Sequence, residues 1–132
     1  ARLPGTSVVL IGGDEDRAAE KDIMAASPAS VLSLAGRIDL IGVKELISRA
    51  ALFVGPDSGP MHIAAATATP IVAFFGPTLP ANFSPWKSRA RVVEKELGCR
   101  PCRQRECVPG DFRCLQGITV EEVFDACREF IR

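Results

Sequence analysis

An α/β domain, with a parallel sheet layered between helices, is the fold class this sequence predicts. Two observations point there. Short apolar runs alternate with helix-forming segments four times over. The runs are also continuous in hydrophobicity, as in strands covered on both faces, rather than alternating as in strands with one wet face. Right-handed crossovers between such strands give a Rossmann-like, three-layer parallel sheet.

The elements follow in order. "SVVLIGG" (residues 7–13) reads as a buried strand ending in a tight turn. Residues 14–27 are acidic at the start, rich in helix formers, and carry Ala18, Ala19, Ile23 and Met24 at helical spacing. Residues 30–36 form a second strand. Residues 39–50 form a second helix with Leu40, Val43, Leu46 and Ile47 on one face. "LFVG" is a third strand, "GPMHIAAATA" a third helix, and "PIVAFFG" (70–76) a fourth, almost wholly apolar strand. Residues 76–90 hold three prolines and no periodicity, which predicts a loop. "RVVE" is read as a short fifth strand, and residues 97–117 as a loop. The chain closes on a helix over 119–131, where Thr119 and Glu122 have capping-box spacing.

Composition narrows the function classes. The chain has 132 residues, the size of one ordinary domain, and its apolar content of 47% is that of a globular chain. Sixteen basic residues balance sixteen acidic ones, so nothing draws the domain as a whole toward nucleic acid. No apolar run has the length of a bilayer span, and no signal-peptide layout opens the chain, so a cytoplasmic setting is expected. The start at Ala1, almost directly before an apolar strand, reads as a domain cut from a longer protein.

The chemistry concentrates in "FVGPDSGPMHIAAA", where the third strand meets the third helix. Ligands of open parallel sheets bind beyond the carboxyl ends of the strands. A helix N-terminus there offers unpaired N–H groups and a partial positive charge, which suits phosphate. Gly59 permits close backbone approach, Pro60 fits the first turn, and Ser58 adds a hydroxyl. Asp57 would repel phosphate, so its carboxylate suits sugar hydroxyls beside it. The simpler reading makes Asp57 or Ser58 an N-cap, worth about 1 kcal/mol.

"DSGPMHIAAATATPIVAFFGPT" resembles the donor-site motif of glycosyltransferase family 9, the ADP-heptose:lipopolysaccharide heptosyltransferases. "VVLIGGDED" resembles the strand and turn that precede it, and "CRPCRQRECVPGDFRCLQGITVEEV" the cysteine-bearing tail of many members. The resemblance implies the C-terminal, donor-binding half of a GT-B enzyme, as a single domain over 1–132. It implies that Ser58 and Gly59 meet the diphosphate and Asp57 the sugar. Pro60, Met61, His62 and Thr78 belong to the same donor set. Asp14 or Glu15, after Gly13, would lie near the ribose, and Ile38 against the base. The general base would belong to an N-terminal domain, so this piece alone would be inactive. Leu79 stands where the family often has an acid.

The implied partners are a nucleotide-sugar donor and, through the other domain, a lipopolysaccharide core acceptor, with peripheral contact at the cytoplasmic face of the inner membrane. No cofactor is expected for catalysis. Cys99, Cys102, Cys107 and Cys114 could hold structural zinc or an iron–sulfur cluster, or stand as free thiols or two disulfides. Cys127 is expected in packed core. His62 is open between a structural role and donor contact. Arg100, Arg103, Arg105 and Arg113 read either as a solvated face or as a contact for anionic lipid. Trp86 reads as a loop anchor or a cleft residue. Two other whole-protein readings stand beside the enzyme: a non-catalytic nucleotide- or anion-binding regulatory module, and a metal-stabilised interaction module built on the cysteine loop.

Overall fold

The structure, a computed structural model, describes residues 5–27, 31–102 and 106–131. The chain divides into two compact units, Ala1–Glu45 and Leu46–Arg132.

In the first unit, β1 (Val8–Leu10) and β2 (Val31–Ser33) pair in parallel, Val8 opposite Val31 and Leu10 opposite Ser33. Backbone bonds from Leu34 N to Leu10 O and from Gly36 N to Gly12 O, both 2.9 Å, carry the pairing past the strand ends. Gly36 has φ +63°, and a Cβ there would lie 2.4 Å from Asp14 Oδ1, so a side chain is excluded twice over. The helix expected over 14–27 splits into a 3₁₀ turn, Asp14–Asp16, and α1 (Arg17–Ala26). None of the α1 residues is buried, Ile23 and Met24 included. The predicted start of the second strand, Ser30, lies outside the described residues. The second helix, α2 (Leu40–Ser48), begins in this unit and ends in the next.

The second unit holds β3 (Phe53–Pro56), α3 (Gly59–Ala66), β4 (Ile71–Phe75), α4 (Pro80–Phe83), β5 (Ala90–Glu94), α5 (Arg113–Gln116) and α6 (Val120–Arg128). Its sheet is parallel in the order β3–β4–β5, with Phe53 opposite Ile71 and Ile71 opposite Ala90. Ile71, Val72, Ala73 and Phe75 are fully buried. Successive strand residues point to opposite faces, so both faces of β4 are covered. Helix α3 packs on β3 and β4, and α6 on β4 and β5. Thr69, buried ahead of β4, donates its hydroxyl proton to Ile47 O at 2.8 Å and ties β4 to the end of α2.

The described strands pair in parallel within each unit, β1 with β2 and β3 with β4 and β5. Two expectations are corrected. Among the described strands only β4 is buried on both faces; β3 alternates, with Phe53 and Gly55 in and Val54 and Pro56 out. An apolar run is compatible with either case, and only the central strand has a neighbour on each side. The two predicted loops each contain a short helix, α4 with Pro80 in its first turn, and α5 entered through Phe112 at φ 49°.

Helix α3 stops at Ala66, two residues before the predicted end, in a Schellman arrangement: Thr69 N bonds Ala64 O at 3.0 Å and Ala68 N bonds Ala65 O at 3.2 Å. Ala68 takes the left-handed position at φ 57°. At α6 the capping box forms as its spacing predicts. Glu122 N donates to Thr119 Oγ1 at 3.2 Å, and Thr119 N donates to Glu122 Oε2 at 2.7 Å.

Candidate functional site

The centre of the site is the turn from β3 into α3. The Ser58 hydroxyl donates backward to Pro56 O at 3.1 Å and makes no cap to the helix. The Asp57 carboxylate does not cap it either: Oδ2 accepts a 2.8 Å bond from Thr78 Oγ1, and Oδ1 lies 3.9 Å from His62 Nε2. The simple N-cap reading of these two residues is therefore corrected. Pro60 has no N–H, and the first intrahelical amide bond is from His62 N to Ser58 O at 3.4 Å. The amides of Gly59 and Met61 thus belong to the helix end that neither side chain caps. Gly59 is exposed, and a Cβ built on it would meet nothing within 4 Å. There is open space against the backbone where the helix dipole favours an anion.

Each predicted residue of this unit has a defined place. The Asp57 side chain is 18% exposed, enough to present an edge while Thr78 fixes its orientation. Thr78 is nearly buried, and its hydroxyl proton is committed to Asp57, so it positions the carboxylate rather than facing outward. Met61 is fully buried in the core; its side chain is out of reach of a ligand, and only its main chain remains for one. The His62 ring is half exposed beside Asp57. Leu79 stands at the N-cap position of α4, half-buried.

The residues expected near the nucleoside lie in the first unit. Gly13 N donates to Asp16 Oδ2 at 2.9 Å, Asp14 accepts from Arg17 Nε at 3.0 Å, Glu15 is exposed, and Ile38 is half-buried. Residues 14–16 read Asp-Glu-Asp, the Asp-x-Asp spacing that metal-using transferases also employ. Here Asp14 and Asp16 have these local partners. Among the described residues no group of three or more His, Cys, Asp or Glu is placed to hold a metal ion.

Among the cysteines one expectation is corrected: Cys127, expected in packed core, is only partly buried. All five thiols are free, with Cys114 buried, Cys99 exposed and the others between, Cys127 included. Burial pushes the Cys127 thiol up. Of the four arginines read as a basic face, Arg103 and Arg105 lie outside the described residues. Arg113 grips the Asp111 carboxylate, from Nε at 3.0 and 2.9 Å, which holds that carboxyl below its usual range. Arg100 is buried, its side chain only 3% exposed. No sequence signal separates it from the exposed Arg113. Trp86 is 75% exposed with Lys87 stacked over it, so it does not anchor its loop.

An open groove of about 530 Å³ lies elsewhere in this unit, between Phe74, Leu115 and the α6 residues Val120, Val123 and Phe124. Its lining is almost wholly apolar, so a diphosphate would find no donors there.

Comparison with known proteins shows the family. The family model described as glycosyltransferase family 9 (heptosyltransferase) matches residues 3–112. Lipopolysaccharide heptosyltransferase 2 of Escherichia coli K12 is 34% identical over 125 residues, 92% of this chain and 36% of the relative. Lipooligosaccharide heptosyltransferase 2 of Haemophilus influenzae is 36% identical over 134 residues, 96% of this chain and 38% of the relative. That of Campylobacter jejuni serotype O:2 is 35% identical over 82 residues, 61% of this chain and 26% of the relative. The chain therefore spans well under half the length of these relatives. Among solved structures, E. coli ADP-heptose lps heptosyltransferase II superposes with TM-score 0.78 at 32% identity, over 96% of this chain and 37% of that one. A family 9 glycosyl transferase from Veillonella parvula gives TM-score 0.80 at 24% identity over the same shares, a likeness of fold.

Proposed function

The chain belongs to glycosyltransferase family 9, and from that premise we propose that its 132 residues are the donor-binding, carboxy-terminal part of a GT-B heptosyltransferase acting in lipopolysaccharide core assembly. The observation that carries the reading is the helix end at Gly59, uncapped by side chains and open, beside a carboxylate held in place by Thr78. The donor is a nucleoside diphosphate sugar, with ADP-heptose as the candidate. Its diphosphate sits at the amides that open α3, and its sugar hydroxyls donate to Asp57.

Transfer breaks the bond from the anomeric carbon to the diphosphate and forms one to an acceptor hydroxyl. Negative charge grows on the leaving phosphate. Preorganised amides and the dipole of α3 stabilise that charge without reorganising, and this role needs no bound metal. The base that takes the acceptor's proton comes from the rest of the enzyme. No helix among the described residues is long and apolar enough to cross a membrane. Work on a lipid-linked acceptor from a nucleotide donor puts the reaction at the cytoplasmic face of the inner membrane, reached by peripheral contact. The family relationship disfavours a purely regulatory module or a cysteine-based interaction module.

Titration calorimetry of the protein with a panel of nucleoside diphosphates and ADP-linked sugars tests this. The ADP-sugar should bind more tightly than ADP, and Asp57→Asn should erase the difference. Absence of binding to every nucleoside diphosphate would overturn the proposal.

A further inference from the structure

We infer that Arg100 is the positioning residue for the sugar-facing carboxylate, acting through Thr78. The inference rests on the donor-site reading above and adds a residue to it that contacts no ligand.

The guanidinium is almost wholly buried, 3% exposed, and each of its three nitrogens has a partner. Nε donates to Gly76 O at 2.5 Å, and one terminal nitrogen donates to Thr78 O at 2.8 Å. The other terminal nitrogen donates to Lys95 O at 2.5 Å and pairs with Glu94 Oε2 at 3.0 Å. Between the two loop carbonyls, Pro77 O accepts from Cys102 N at 3.3 Å. Three consecutive carbonyls, those of Gly76, Pro77 and Thr78, are thus held by residues Arg100 and Cys102. The main chain of this short connection has no freedom left on its carbonyl side. The same connection carries the Thr78 hydroxyl, which donates to Asp57 Oδ2.

Burying a guanidinium costs several kcal/mol unless acceptors surround it. Here the acceptors come from one acid and three carbonyls, two of them flanking Pro77 in the connection that carries Thr78. Only arginine has a planar fork that spans them; a lysine ammonium would reach one or two and release the rest. With Thr78 released, the Asp57 carboxylate loses its fixed donor and can turn. The expected consequence is a loss in recognition of the sugar, with the diphosphate socket at Gly59 left as it was.

The test uses the full-length protein and two ligands, ADP and an ADP-linked heptose, with affinities from calorimetry and thermal midpoints for each variant. Arg100→Lys and Thr78→Val should each weaken the ADP-sugar about tenfold while changing ADP affinity less than about twofold. Thr78→Ser, which keeps the hydroxyl, should restore wild-type discrimination. The double variant should be no worse than Thr78→Val alone, because both act on one bond. If Arg100→Lys does not fold, Glu94→Gln replaces it, with about a threefold loss confined to the ADP-sugar.

Equal losses for both ligands, or additive losses in the double variant, would overturn the positioning role and leave Arg100 a structural residue. Discrimination that depends on Asp57 yet is untouched by Arg100→Lys and Thr78→Val would overturn this inference alone. A wild-type protein that binds neither ligand would sink the donor-site reading and this inference together.

Discussion

Thr78 donates its hydroxyl proton to Asp57 Oδ2 at 2.8 Å, and the bond joins the connections that leave β3 and β4, 21 residues apart in sequence. Both residues follow the carboxyl ends of adjacent parallel strands, where sheets of this kind place their ligands. The bond gives the carboxylate one orientation and leaves its other oxygen toward His62. A ligand hydroxyl thus meets a fixed acceptor instead of a rotating one.

Gly59→Ala separates ligand approach from fold. A methyl group there meets no protein atom within 4 Å, so the native state accepts it, and alanine favours the helix by about 0.5–1 kcal/mol over glycine. The thermal midpoint should hold or rise slightly. Nucleotide affinity should fall about tenfold, because the methyl occupies the space where the phosphates come against the backbone. Calorimetry beside a melting curve reads both, and unchanged affinity would move the anion away from this helix end.

Met61 gives the opposite pattern. Its side chain is fully buried, so Met61→Ala leaves a cavity and should cost about 2–5 kcal/mol in urea unfolding. Met61→Leu, close in volume, should cost less than about 1.5 kcal/mol and bind nucleotide as the wild type does. Loss of affinity in a stable Met61→Leu protein would return the side chain to the ligand.

Ala68 carries a correctable strain. It holds the left-handed position that ends α3, where a Cβ costs about 1–2 kcal/mol. Part of that is offset by the extra freedom glycine brings to the unfolded chain. Ala68→Gly is therefore expected to stabilise by about 0.5–1 kcal/mol, measured by chemical denaturation, with nucleotide affinity unchanged.

Glu122 links stability to pH. Lys95 Nζ bonds its Oε1 at 2.5 Å, and the Thr119 amide bonds the other oxygen; together they hold the carboxyl below its ordinary value of 4.5. A carboxylate with a depressed folded value stabilises fully above its unfolded value, and the contribution is lost as pH falls through the folded one. Glu122→Gln should thus lower the thermal midpoint at neutral pH, and the gap to wild type should close on acidification below the carboxylate range. A gap independent of pH would assign the effect to the capping geometry alone.

Legibility differed by element. Thr119 and Glu122 could be paired from spacing because a capping box is local: both bonds close within one turn. The β3–α3 junction was legible for the same reason, since Pro60 fixes its own φ wherever it stands and suits the first turn of a helix. The opposite holds for Arg100 and Arg113. They sit 13 positions apart in one basic, cysteine-rich stretch, yet one is buried under three loop carbonyls and the other pairs with an exposed acid. Composition cannot separate them, because burial is set by what folds over a residue.

From the sequence alone came the alternation of strands and helices, the helix opening at Gly59, and the acid placed before it, each fixed by backbone preference and short-range periodicity. Tertiary contact decided which strand lies central, that Met61 turns inward, that Thr78 reaches Asp57, and that Arg100 holds the Thr78 carbonyl. Those outcomes depend on residues brought together by parallel crossovers, whose partners lie some twenty positions away, beyond the range over which local propensity acts.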